Sequence, residues 1–114
     1  MARKRLFPNQ YDLTALQLLL LDIVVDNPSI VSGHAAIMMP RFSKSAVGRA
    51  ASALNKKGLL YYEHNWDKTD GEFEYWPEME ARVFRQECQE MFLAVAKHFG
   101  ASDEEIEGSR DRSL

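Results

Sequence analysis

Ser43-Lys44-Ser45-Ala46-Val47-Gly48-Arg49-Ala50-Ala51-Ser52-Ala53-Leu54-Asn55-Lys56-Lys57-Gly58-Leu59-Leu60 is the stretch that decides the fold. Ser43 is a good N-cap, because its hydroxyl can accept from the first unpaired amides of a helix over Lys44 to Lys57, and Gly58 is the residue type expected just past a helix end. Val47, Ala50, Ala51 and Leu54 recur at helical spacing as one buried face. Ser45, Arg49, Ser52 and Lys56 form the opposite face, which holds hydrogen-bonding or cationic groups and no acid. Arg can read guanine in a major groove with a bidentate pair, Ser can donate or accept at base edges, and Lys neutralises phosphate. Lys44, Asn55 and Lys57 flank that stripe. Gly48 lies on the polar side, where a helix-interior glycine costs about 1 kcal/mol against Ala; it is either a point of close backbone approach or a tolerated small residue.

Upstream, Asp12 and Thr14 both offer caps, and Thr14-Ala15-Leu16-Gln17 has capping-box spacing, so a first helix is expected to about Asp26. Leu16, Leu18 to Leu21, Ile23, Val24 and Val25 leave it little polar face, which asks for cover on several sides and hints at a second chain. Asn27-Pro28 stops it. A short second helix through His34 to Met39, capped by Ser29 or Ser32 and ended by Pro40, leads into a turn at Pro40-Arg41-Phe42. Downstream, Leu59 to Trp66 and the alternating segment around Phe73 and Tyr75 read as paired strands, with Asp70-Gly71 in the connection. Pro77 fits the first position of a last helix, in which Val83, Phe84, Cys88, Met91, Phe92, Val95 and Phe99 make one continuous apolar stripe.

The resulting fold class is mainly α with a small β-hairpin (α+β): a winged helix-turn-helix with a three-helix core, a wing and a C-terminal dimerisation helix. The expected organisation is a basic arm over 1–11, the winged domain over 12–77, the dimerisation helix over 78–99 and an acidic tail without period over 100–114.

The chain of 114 residues, 46% hydrophobic and 27% charged, fits one globular domain. The single Cys88 cannot form an internal disulfide, and no apolar run reaches the length of a membrane span because Asp22 and Asp26 interrupt Leu16 to Val25. The start, Arg3-Lys4-Arg5, does not lead into a signal sequence, so a cytoplasmic, nucleoid-associated protein is expected. The net charge of −3 argues against nucleic acid only if charge is spread evenly. Residues 1–57 carry +5 and residues 58–114 carry −8, which suggests one basic working surface and an acidic remainder.

The quoted stretch resembles the recognition helix and following strand of winged-helix regulators of the multiple-antibiotic-resistance (MarR) type, whose pattern there is a Ser cap, a Val-Ser-Arg core, a Leu and then Gly-Leu-Ile. Leu13-Thr14-Ala15-Leu16-Gln17, opening a helix ended by Asn27-Pro28, is similar to the helix preceding this motif in the same proteins. The resemblance covers about residues 13 to 99. It implies a homodimer joined by terminal helices, for which Leu18, Leu21, Val25, Phe84, Cys88, Met91, Phe92, Val95 and Phe99 are the expected interface, with recognition helices in successive major grooves and wings near the minor groove. By position, it implies DNA contacts from Ser43, Lys44, Ser45, Arg49 and Ser52. The sequence departs from the family pattern at Gly48, where Ser is usual, and in being shorter than full family members, so one terminal helix is expected to be missing.

The wing departs furthest. Glu63, Asp67, Asp70, Glu72 and Glu74 face Lys68 alone, whereas a wing tracking phosphates works through positive charge. Either only Lys68 and Thr69 at the tip approach DNA, or the hairpin faces away or binds a basic protein. Arg3, Lys4 and Arg5 would compensate as an arm reaching a groove or phosphates. His34, His64 and His98 have no metal-ligand spacing, Met38 and Met39 suit packing better than a pocket, and no catalytic motif or cofactor loop is present, so no metal, cofactor or enzymatic activity is expected. The reading is a sequence-specific double-stranded DNA-binding transcriptional regulator, a repressor acting as a homodimer. The alternatives are a plasmid or phage replication or segregation factor, and a protein-interaction module using the acidic hairpin.

Overall fold

The computed structural model describes residues 5–64 and 73–99, with the side chain of His64 excepted. The elements in chain order are α1 (Ala15–Asp26), β1 (Ile30–Val31), α2 (Ser32–Met38), α3 (Lys44–Lys56), β2 (Leu60–His64), β3 (Phe73–Pro77), α4 (Met79–Glu87) and α5 (Gln89–His98). The expected α+β winged architecture is present, with one strand more than the sequence suggested.

Helix α1 starts where the capping box places it: Thr14 Oγ1 accepts from the Gln17 amide at 3.2 Å, and Gln17 Oε1 accepts from the Thr14 amide at 3.0 Å. Its nearly unbroken apolar surface is covered from within the chain, since α2, α3, α4, α5 and β3 all pack on it. The hint of a second chain on this helix is therefore corrected. Leu18, Leu21, Phe84, Phe92 and Val95 are at most 3% exposed, enclosed by their own chain, and so cannot be the surface that meets a partner. Of the expected interface, Val25, Cys88, Met91 and Phe99 remain partly accessible at the edge of the core.

Three further boundaries differ. Ser29, at φ 67°, donates its backbone N–H to the Tyr75 carbonyl instead of capping α2, and Ser32 is the first residue of that helix, whose N-cap Val31 offers no side-chain acceptor. This turn delivers β1, which pairs antiparallel with β3 (Ile30 opposite Tyr75, Val31 opposite Glu74), giving a sheet of order β1-β3-β2. Pro77 closes β3 opposite Leu60, and the helix begins two residues later behind Glu78. The long C-terminal stripe is divided at Cys88 (φ −120°, ψ 37°) into α4 and α5, which lets Ala81 and Phe84 on one side and Phe92 and Val95 on the other all reach the core around α1.

Residues 5–11 are not a free arm. Phe7 meets His98 edge to face at 5.7 Å, Tyr11 meets Phe84 at 4.9 Å, and Asn9 ties the segment together by donating to the carbonyls of Phe7 and Leu13 and accepting from the Leu13 amide. Arg5 Nε lies 2.8 Å from Asp12 Oδ1, and this hydrogen bond first, with its charge second, holds the Asp12 carboxyl below the usual carboxylate range. Arg5 is thus paired with Asp12 at the surface. Arg3, Lys4 and the 100–114 tail lie outside the described residues.

Helix α4 is fastened to α1 by Arg85, whose Nε is 3.1 Å from Asp22 Oδ1 and whose Nη1 donates to Asp26. Asp22 is largely buried in this contact, and desolvation raises its carboxyl to about 6, against the opposing pull of Arg85.

Candidate nucleic-acid interface

Helix α3 forms because its cap, period and terminator agree. Ser43 Oγ accepts from the Ala46 amide at 3.1 Å, and Gly58 follows in the left-handed region at φ 75°, which lets the chain leave the helix toward β2. Val47, Ala50, Ala51 and Leu54 are buried as their spacing requires and lay the helix against α1 and β2. The same rotation turns Lys44, Ser45, Arg49 and Lys56 into solvent, with Ser52 half-buried at the edge.

The charge of this face is one-sided. From Asn27 to Tyr62 the chain runs 36 residues without an Asp or Glu while carrying Arg41, Lys44, Arg49, Lys56 and Lys57. Elsewhere Arg5 and Arg85 are held by carboxylates, but among the described residues Arg41, Lys44, Arg49 and Lys56 make no ion pair. Cations with no ion-pair partner among the described residues, three of them along α3 and one in the turn before it, create a positive potential suited to a polyanion. The start of α3 adds the partial positive charge of its unpaired amides. Gly48 stands on the exposed side, and a Cβ built there would meet no atom within 4 Å, so close packing against the preceding helix is not its purpose.

Two of the expected contact residues are also bonded within the chain. Asn55 donates from Nδ2 to the Leu60 carbonyl at 2.9 Å, which fastens the helix end to β2, and Lys57 Nζ donates to the Tyr11 carbonyl at 2.6 Å. Both side chains are tied to the fold in ways that polarity alone could not reveal. Arg41 is exposed in the turn between α2 and α3, beside Phe42.

The wing base has two unlike faces. Leu60, Tyr75 and Pro77 turn into the core, while Tyr61 stacks on Trp76 across the strands at 6.2 Å on the other face, with Glu63 directly opposite Glu74 in register beyond them. Lys68, Thr69 and the acids Asp67, Asp70 and Glu72 lie outside the described residues. Among the described residues no three His, Cys, Asp or Glu side chains come together as a metal site, and no helix is long and apolar enough to cross a membrane.

A helix-turn-helix of α2 and α3 on a core centred on α1, followed by a two-strand wing, defines a winged helix-turn-helix protein. The sequence matches no family model and no curated protein. The fold is that of MarR-type regulators. A MarR-family transcriptional regulator from Silicibacter pomeroyi superposes with a TM-score of 0.64 at 15% identity, over 90% of this chain and 68% of that one. Bordetella bronchiseptica BpsR, whose DNA binding is regulated by 6-hydroxynicotinic acid, gives 0.66 at 15% identity over 95% of this chain and 85% of its own. Streptococcus pneumoniae FabT, solved in complex with DNA, gives 0.62 at 14% identity over 88% and 70%.

Proposed function

We propose that this chain is a sequence-specific double-stranded DNA-binding transcriptional regulator, not an enzyme, acting in the cytoplasm on the nucleoid. The observation that carries the proposal is the exposed, acid-free face of α3, whose cations have no carboxylate partner among the described residues, on a fold shared with a regulator solved on DNA. In this reading α3 enters the major groove. Arg49, with Ser45 and Ser52, reads base edges, and Lys44, Lys56 and Arg41 bind flanking phosphates while the Ser43 cap fixes the approach of the helix start. Asn55 and Lys57 support the helix rather than touch DNA. Arg3 and Lys4 add phosphate contacts, and Lys68 and Thr69 bring the wing tip near the duplex.

The protein works as a homodimer that occludes a promoter, placing two α3 helices about one helical turn apart. With five of the expected interface residues spent in the core, the partner is met at the shallow groove where Leu6, Phe7 and Pro8 adjoin Cys88 and Met91. The acidic outer face of the wing, with Glu63 beside the Tyr61–Trp76 stack, stays off the phosphates and is available to a basic protein partner. The test is selection of duplexes from a random-sequence pool, followed by anisotropy titration at several salt concentrations. Enrichment of an inverted repeat with salt-dependent affinity is expected; no retention of any duplex at low salt would refute DNA binding, and enrichment of direct tandem repeats would replace promoter repression with a replication or segregation role.

A further inference from the structure

Helix α5 ends beside the start of α3. The Phe99 ring packs edge to face on Phe42 at 5.1 Å, and Phe42 is the residue before the Ser43 cap. Phe99, the last described residue, is therefore held beside the start of α3. The chain beyond it carries Asp103, Glu104, Glu105 and Glu107 within five positions, with Ile106 among them. At roughly 3.3–3.6 Å per extended residue, Asp103 can stand up to about 14 Å from Phe99 and Glu107 about twice that, while α3 is about 20 Å long at about 1.5 Å per residue. Phe42 also forms part of an open groove of about 610 Å³ together with His34, Ile37, Pro40 and Lys44, in which Ile37 is 75% exposed.

Resting on the DNA-binding reading above, we propose that the acidic segment 103–107 of the same chain occupies the groove and the N-terminal half of α3 when DNA is absent, and must be displaced for DNA to bind. The carboxylates answer Arg41, Lys44 and Arg49, none of which has an ion-pair partner among the described residues, and Ile106 answers Ile37. A short tether gives such a segment a millimolar local concentration, so millimolar intrinsic affinity is enough to fill the site half the time. Its competitor is a polyanion, so the tail suppresses weak nonspecific binding more than binding to a site that also engages base edges. This is how a chain of net charge −3 discriminates operator from bulk DNA.

The test compares three full-length proteins: the natural chain, D103N/E104Q/E105Q, and E78Q/E80K, which raises net charge by the same three units at the start of α4, outside the groove beside Cys88. Two readouts are taken, the amide NMR signals of residues 43–49 without DNA and affinity for a random-sequence duplex. The tail variant is expected to shift those amide signals and to bind the duplex about three- to tenfold more tightly at ~50 mM salt, the gain shrinking to within about twofold at ~0.5 M, while the α4 variant does neither. Unshifted α3 amides, or an equal gain from both variants, would overturn the proposal. Shifted amides with no duplex bound by any of the three would uphold the docking and locate the failure in the DNA-binding reading.

Discussion

Replacing Asp22 with Asn tests the buried contact that fastens α4 to α1. In the folded chain this carboxyl stands at about 6, because burial disfavours its charge more than Arg85 and its 3.1 Å contact favour it, with Asp26 adding a smaller push in the same direction. The ordinary value is 3.8, so between the two the native state holds a proton that the unfolded chain releases. The contribution to stability is thus complete below about 3.8 and is lost as pH rises through about 6. At about 1.36 kcal/mol per pH unit of differential protonation, going from pH ~4 to ~7 weakens the natural chain by about 2 kcal/mol relative to a version that cannot titrate here. Asn keeps the shape and an oxygen for Arg85 to donate to, and it has no proton to lose. Urea denaturation of both proteins across this range should show the stability difference moving by about 2 kcal/mol in favour of Asp22→Asn as pH rises. A difference that stays constant would refute the reasoning, because it would mean that Asp22 ionises as it does in water. Exposed Asp12 has the opposite sign: Arg5 lowers its folded value, so its stabilisation is lost as pH falls.

Gly48→Ala should raise stability by about 0.5–1 kcal/mol in urea denaturation, since the new Cβ enters open space and removes the entropy cost of a helix-interior glycine; a loss would reveal a constraint on the exposed side of α3. Lys56→Ala should weaken binding to every duplex alike and flatten the slope of log affinity against log salt by about one unit, as measured by anisotropy; an unchanged slope would remove Lys56 from the phosphate contacts.

Much of the fold was legible because α3 is amphipathic with cap, stripe and glycine in agreement, and the Thr14–Gln17 box, rather than Asp12, marks the start of α1. What escaped the sequence has physical causes. A two-residue strand such as β1 has no period to detect, and its existence depends on Tyr75 and Glu74, which are more than 40 positions away. The break at Cys88 involves neither proline nor glycine, and the apolar spacing runs straight through it. The expected dimer residues failed for a related reason: an apolar side chain says that it will be buried but not by which chain, and α1 turned out to be the centre of its own domain. At the site, Arg49 and Lys56 were exposed as their spacing required. That Asp12 accepts from Arg5, the Leu60 carbonyl from Asn55 and the Tyr11 carbonyl from Lys57 could not be read from the sequence, because each partner is set by the tertiary fold or by a turn.

Arg49 bears most directly on whether α3 reads DNA sequence. Its side chain is exposed and has no ion-pair partner among the described residues, so Arg49→Ala should leave folding stability within about 0.5 kcal/mol. The measurement is the affinity of natural and Arg49→Ala protein for a duplex selected by the natural chain, set against a scrambled duplex at the same salt. A loss of about 1–3 kcal/mol on the selected duplex, roughly five- to 150-fold, with a much smaller loss on the scrambled one, is the expected result. Equal losses on both, or none on either, would contradict recognition through this helix.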